Sequence, residues 1–321
     1  MADLPRAAGI RAGDVIAIAG GGGKTSLALA LARELPGPVL VTTTTKILEP
    51  ATGGLDCDEL LVCNEGPEAA AARLAELFAS ARVIALAHSV LPEVVKGKRK
   101  LQGVPPDWPH HIQKALSERV PDLTITVEAD GSRMLPFKAP GAQEPVLPVN
   151  TTVVLVVAGL DVLGQPLDDR HVHRAAQVVE LSGLQPGSPV TAQCIGTVLG
   201  QRRHWSVPPS VRRYVACINK LDLAGCGPPP PGDVEGAAAR LAFMKRGAEG
   251  SSLVSPVAAE SGPACDSAAA TSGAIRAAQY ALEQPLGQAP DAVLLIGEHM
   301  GVRCVLWAAM TAASSDEHSQ D

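Results

Sequence analysis

Short β-rich apolar runs alternate along this chain with runs of helical character. The apolar runs lie at 15–19, 38–41, 82–87, 123–128, 152–158, 214–218 and 292–296. Several are apolar throughout, as strands covered on both faces are. The fourth differs, with Leu123, Ile125 and Val127 alternating with Thr124 and Thr126. Helices are predicted over 25–35, 68–80, 112–119, 172–181, 234–245 and 273–282. Strand and helix in alternation predict an α/β fold, a mostly parallel sheet with helices on both faces. Ligands of such sheets bind beyond the carboxyl ends of the strands, so the residues that follow each strand are where chemistry is expected.

Punctuation comes late. Pro228 to Pro231 form a stiff break, residues 260–273 are rich in Ala, Ser and Gly, and residues 314–321 are a polar tail expected to be disordered. The expected division is therefore an α/β domain over 1–226 and, over 227–321, a proline-rich break, a C-terminal α/β elaboration and the tail.

Composition narrows this picture. With 46% hydrophobic residues in 321 the chain is globular, but with only 2% aromatics its core must rest on Ala, Val and Leu. A net charge of −6 argues against a broad nucleic-acid surface, though not against a small basic anion site. The seven cysteines are scattered and odd in number, and none forms a C-x-x-C pair, so a disulfide framework is not expected and a reducing compartment is. No apolar stretch reaches the ~18 residues a membrane helix needs, and no apolar signal segment precedes residue 15. A soluble, cytoplasmic protein is the expectation.

The densest chemistry follows the first strand, in Gly20-Gly21-Gly22-Gly23-Lys24-Thr25-Ser26. Strand, glycine loop, Lys-Thr, helix is the layout of a phosphate-binding P-loop. Glycines let backbone N–H groups turn around an anion, and the helix adds its positive end. Lys24 is expected on the β- and γ-phosphates and Thr25 on Mg²⁺. Counting back from Gly23, however, puts Ile18 where G-x-x-x-x-G-K-[ST] has its first glycine, so the loop is a variant or is shorter.

Later strand ends extend the pattern. Thr42 to Thr45 follow the second strand; they either extend it or offer hydroxyls, Thr44 among them, to metal or phosphate. Glu128-Ala129-Asp130-Gly131 closes the fourth strand in the arrangement of a Walker-B acid, with Asp130 the first choice for Mg²⁺ and Glu128 a second acid for water or metal. Asn219-Lys220-Leu221-Asp222 fits N-K-x-D, the guanine-reading signature: Asp222 would accept from the base, Lys220 would lie along it, and Asn219 would brace the loops. An adenine there would leave a carboxylate unpaired, at roughly 1–3 kcal/mol. Asp161, after the fifth strand, is a further pocket residue. The basic run Lys96 to Lys100 reads as an ordered loop that contacts an anion or as a solvated face, and His171-Val172-His173 as structural rather than metal-binding.

Taken together, segments 20–25, 41–47, 100–105, 128–140 (EADGSRMLPFKAP), 144–148 (EPVLP), 159–167 (GLDVLGQPL), 171–174 (HVHR) and 219–222 resemble the selenium cofactor biosynthesis protein YqeC family, also described as selenium-dependent hydroxylase accessory proteins. The resemblance spans about residues 10–225 and fades beyond the prolines; Gln143 stands where histidine is expected. It implies a P-loop NTPase-like protein that assists maturation of selenium-dependent molybdenum hydroxylases, in the setting of a molybdopterin-type cofactor. It also draws attention to Arg133 and Lys138, which lie where an anionic second substrate could sit or else in a surface loop.

The leading expectation is Mg²⁺-dependent binding and hydrolysis of GTP, or of ATP. Lys24 and the glycine amides would hold phosphates, Thr25 and Asp130 the metal, and Asn219 and Asp222 the base. Catalysis would be mainly electrostatic and positional. The alternatives are a kinase or nucleotidyl-type transferase acting on the cofactor, and a scaffold that binds without turnover.

Overall fold

The computed structural model describes residues 4–54, 56–220, 277, 278, 281, 290–299 and 302–310. Its strands, in chain order, are β1 (Val15–Gly20), β2 (Val39–Thr43), β3 (Lys46–Leu48), β4 (Glu59–Val62), β5 (Val83–Ala87), β6 (Ser89–Val95), β7 (Lys98–Gln102), β8 (Thr124–Glu128), β9 (Phe137–Lys138), β10 (Val153–Gly159), β11 (Val172–His173), β12 (Arg213–Asn219), β13 (Ala292–His299) and β14 (Val302–Met310). The α-helices that lie wholly within the described residues are α1 (Leu4–Ala8), α2 (Lys24–Glu34), α3 (Pro67–Leu77), α4 (Trp108–Leu116), α5 (Ala175–Ser182) and α6 (Ala192–Leu199).

Nine strands form one sheet in the order β14-β13-β12-β10-β1-β8-β2-β5-β4. All neighbours run parallel except the antiparallel pair β13 and β14. The fold is thus α/β with a mostly parallel central sheet, and every strand expected from an apolar run lies in it. The glycine loop leaves from β1, near the middle. Its neighbours β8 and β10 carry Glu128 and Gly159 at their ends, and β12 carries Asn219 one strand further out. The topology therefore gathers the expected chemistry at one edge, where parallel strands end together. The C-terminal elaboration adds β13 and β14 to this same sheet.

Both faces of β1 are covered. Ala17 and Ala19 join one apolar cluster, with Val154, Val156 and Trp205; Ile16 and Ile18 join another, with Leu27 and Leu31 of α2. The few aromatics serve as anchors: Trp205, Tyr214 and Phe137 are fully buried, and the Trp205 indole N–H donates to the Val198 carbonyl at 2.9 Å.

Three expectations change. The 172–181 helix begins only at Ala175, because Val172–His173 pairs with β9 as β11 and Arg174 takes φ 62. The 112–119 helix begins earlier, at Trp108, and ends at Leu116. The basic run is not a loop but the turn and second strand of a hairpin. Lys96 and Gly97, at φ 54 and 76, join β6 to β7, as both central residues of a type I′ turn require. The 234–245 helix, the proline break, residues 260–273 and the polar tail lie outside the described residues, as does most of the 273–282 helix.

The loop is short rather than irregular. Strand pairing continues through Gly20, so Ile18 is a fully buried strand residue and only Gly21 to Gly23 separate β1 from α2. Installing the consensus glycine, Ile18→Gly, should therefore destabilise the fold by about 4 kcal/mol, from lost burial and added backbone freedom. Urea denaturation measures this; unchanged stability would contradict a strand at Ile18.

Candidate functional site

The loop is built from glycine because nothing larger fits. Gly22 and Gly23 have φ of 77 and 116, and a Cβ on Gly22 would lie 2.2 Å from the Gly159 nitrogen. Loop amides are tied from three sides: Gly20 to Asp130 (3.0 and 3.1 Å), Gly21 to the Val157 carbonyl (2.8 Å) and Gly22 to the Leu135 carbonyl (3.2 Å). Gly23 then caps α2 with no side-chain cap, and the first α-helical bond runs from Leu27 N–H to the Gly23 carbonyl. The positive end of an eleven-residue helix is left uncapped by any side chain, beside Lys24 and Thr25.

Beneath the loop runs a chain of alternating charge. Arg174 grips Glu144 with both terminal nitrogens, at 2.7 and 2.8 Å. Glu144 contacts Lys138, whose ammonium lies 2.9 Å from Asp130. Asp130 in turn lies 3.3 Å from Lys24, and Lys24 lies 3.6 Å from Glu128. The Thr25 hydroxyl closes the chain by donating to Glu128 at 2.6 Å. Lys24 also donates to the Gly20 carbonyl at 2.7 Å, folding back over its own loop. Asp130 is fully buried and Lys138 is 1% exposed, so the cost of burying each is offset by the opposite charges on either side of it.

The two acids take different surroundings. Both oxygens of Asp130 face the Gly20 amide and the two lysines, so Asp130 holds the loop from below. Glu128 reaches Thr25 at the mouth of the loop. Its burial pushes the carboxyl above the ordinary range, while Lys24 and the Thr25 hydroxyl favour the ionised form.

The other expected residues divide. Thr42, Thr43 and Thr44 donate their hydroxyls to the carbonyls of Leu86, Glu128 and Val146, at 2.8, 2.8 and 2.9 Å, stitching β2 to its surroundings. The Thr44 hydroxyl is thus engaged with Val146, while its backbone N–H donates to the Glu128 carbonyl at 3.1 Å. Asn219 is fully buried and donates to the Gly22 carbonyl at 2.7 Å. Lys220, in the left-handed region at φ 64, pairs with Asp161 at 2.7 Å; the second Asp161 oxygen is buried without a hydrogen-bond partner. Asp222 lies outside the described residues. Ser26 is exposed on the first turn of α2.

Lys138 is not in a surface loop; it is spent on Asp130 and Glu144. Arg133 is exposed, at the tip of the segment between β8 and β9, with φ 53. His173 sits in an electropositive corner: burial first, then Arg174, Lys138 and Arg133, push its pKa down. Glu144 and Arg174 were missed. Their only signal in the sequence is position, inside EPVLP and HVHR.

Among the described residues no three His, Cys, Asp or Glu cluster to hold a metal. Thr25 and Glu128 offer two adjacent hard oxygens at the start of α2. That donor set suits Mg²⁺, which takes one or two protein oxygens and completes its octahedron with phosphate and water. Cys57, Cys63, Cys194 and Cys217 are buried free thiols. No helix among the described residues is long and apolar enough to cross a membrane.

Comparison with known proteins places these residues in a family context. The family model described as YqeC protein matches residues 16–176. An Escherichia coli (strain K12) protein, named as uncharacterized protein YqeC, is 33% identical over 222 residues, covering 64% of this chain and 78% of its own length. No solved structure matches significantly.

The charge chain has a pH signature. Burial opposes ionisation of Glu144, but the hydrogen bonds from Arg174 and Lys138 outweigh it and hold the pKa at about 2 against an ordinary 4.5. A depressed carboxylate stabilises the fold above its unfolded pKa and loses that contribution as pH falls from about 4.5 towards 2. Glu144→Gln should lower stability at pH 7 by about 2 kcal/mol, less than a fully buried pair would cost because the group is partly exposed. It should also flatten the decline between pH 5 and 3. Urea titrations across that range test both; parallel curves for the two proteins would contradict the pairing.

Proposed function

The chain belongs to the YqeC family, and we propose that it is a P-loop nucleoside-triphosphate-binding protein that uses Mg²⁺ and prefers GTP. One observation carries the reading: at the centre of a parallel sheet, a glycine loop leads into a side-chain-uncapped helix whose first residues, Lys24 and Thr25, meet a buried acid from the neighbouring strand. Phosphates would lie over the loop against the free amides of the first turn. Lys24 would turn from the Gly20 carbonyl and Asp130 towards the β- and γ-oxygens. Asp130 stays compensated in that exchange, because Lys138 remains beside it.

Thr25 and Glu128 would hold Mg²⁺, with Asp130 positioning the loop rather than meeting the metal. When bound, the metal neutralises charge on the phosphates and orients them. Asn219 braces the loop from the strand end where the base would be read, which supports the guanine reading of residues 219–222. The role we assign is nucleotide hydrolysis coupled to maturation of selenium-dependent molybdenum hydroxylases, the setting implied by the resemblance of segments 128–140, 159–167 and 171–174.

A second reading has its own support. Exposed Arg133, in the electropositive corner beside His173, favours an anionic acceptor over water. A kinase or nucleotidyl-type transferase acting on a molybdopterin-type cofactor would use it. Mass spectrometry of a reaction holding nucleotide and cofactor separates the two, since hydrolysis leaves the cofactor's mass unchanged. A non-catalytic scaffold would show binding with no phosphate release.

Calorimetry with GTP, ATP, CTP and UTP in Mg²⁺ tests the nucleotide site. GTP should bind tightest, by about 5- to 150-fold over ATP if an unpaired polar group is the cost of the wrong base. Lys24→Ala should stay folded and lose about 3 kcal/mol of affinity, roughly 100-fold. Unchanged affinity in that variant would contradict the assignment of the loop.

A further inference from the structure

The strands' other ends carry a second concentration of positive charge. Arg11 lies just ahead of β1, and Arg212 and Arg213 lead into β12. With Arg6 of α1 they line a cleft of about 500 Å³ walled by Leu35 and Pro36, which follow α2. Because β1 is six residues long, the cleft lies roughly 20 Å from the glycine loop at the strand rise of about 3.3 Å per residue.

The acids nearby are already occupied. Asp14, 6% exposed, accepts from the Arg11 N–H (2.7 Å), the Thr152 hydroxyl (2.8 Å) and Arg212 (2.6 Å). Asp291 accepts from the Tyr214 N–H at 2.6 Å. Glu34, near α1, accepts from the Leu4 N–H at 2.8 Å. Arg212 spends its other terminal nitrogen on the Gly9 carbonyl. Arg213 differs: its Nε is buried with no hydrogen-bond partner, and its guanidinium packs so close to Gly9 that a Cβ there would lie 3.0 Å from Nε. Burial pushes the Arg213 pKa below its ordinary value; Asp291 opposes that, and the like charges of Arg212 and Arg11 add to it. An arginine whose Nε lacks an acceptor, with Arg212 and Arg11 outnumbering Asp291 beside it, suits an anion in the cleft. The guanidinium fork matches the oxygens of phosphate, and the Leu35–Pro36 wall suits a less polar body attached to it.

We propose that this cleft is a second anion site, separate from the glycine loop, which binds a small soluble phosphate-bearing molecule through Arg213, Arg11, Arg212 and Arg6. The proposal stands on residues that the nucleotide reading does not use.

Pyrophosphate is the probe, titrated by calorimetry into the full chain carrying Lys24→Ala, so that any binding at the loop is removed. One pyrophosphate per chain should bind. Adding Arg213→Gln should weaken it at least tenfold, Arg11→Gln several-fold, and Arg213→Lys less than Arg213→Gln. Circular dichroism checks folding. Arg11 is exposed, so Arg11→Gln decides the matter should the Arg213 variants not fold. The proposal is overturned if the Lys24→Ala chain binds no pyrophosphate, or binds it with an affinity that Arg11→Gln leaves unchanged. It is also overturned if the arginines instead govern sedimentation with phosphatidylglycerol vesicles, which would make the cleft a lipid contact. Loss of nucleotide binding in the wild type, with this arginine-dependent site intact, would count against the nucleotide reading alone.

Discussion

A carboxylate sealed from solvent beneath the glycine loop sets the terms for everything around it. Asp130 has no exposed surface, and an isolated charge there would cost several kcal/mol. Its compensation recruits separate parts of the chain: the Gly20 amide at the end of β1, Lys24 at the start of α2 and Lys138 from β9. Lys138 is itself buried and so needs Glu144, which in turn needs Arg174. The need to neutralise one group thus fixes where the segment after β8 runs, and that segment presses its Leu135 carbonyl onto the loop. Together with Asn219, which donates to the Gly22 carbonyl, it holds Gly22 against Gly159.

The arrangement leaves Lys24 as the adjustable member. Lys138 has two acids and Asp130 has two cations, whereas Lys24 reaches its acids only at 3.3 and 3.6 Å. A ligand with stronger negative charge above the loop can therefore draw Lys24 away at low cost, since Asp130 keeps Lys138. The loop's shortness fits the same logic. With β1 paired through Gly20, few backbone amides remain in the loop, so under the proposed nucleotide reading more of the phosphate contact would fall on the helix terminus and on Lys24.

Much of this was legible in the sequence. The central strands announced themselves as apolar runs because both faces of the sheet are covered, so that solvent imposes no alternation. The lesser strands did not. β7 is written in Lys and Arg and pairs as a hairpin arm at the surface, so it read as a charged loop. β4 is a half-exposed edge, and β9 and β11 are too short to have a period. At the site, Lys24, Thr25, Glu128, Asp130 and Asn219 were all visible from strand-end position. Which acid meets Thr25 and which holds the Gly20 amide was not. That depends on the direction of the Gly20 amide and on a lysine further along the chain, and spacing encodes neither. Glu144 and Arg174 were equally opaque, since their partner's burial exists only in the fold.

The central claim is that ligand charge above the loop pulls Lys24 off Asp130 while Lys138 stays. NMR of the two lysine ammonium groups, in protein with labelled lysine side-chain nitrogens and assigned through single Lys→Arg variants, follows this directly. On titration with Mg·GTP the Lys24 resonance should move to saturation and that of Lys138 should hold nearly still. A Lys24 signal that stays in place while nucleotide saturates the protein, or a Lys138 signal that moves instead, would contradict the account.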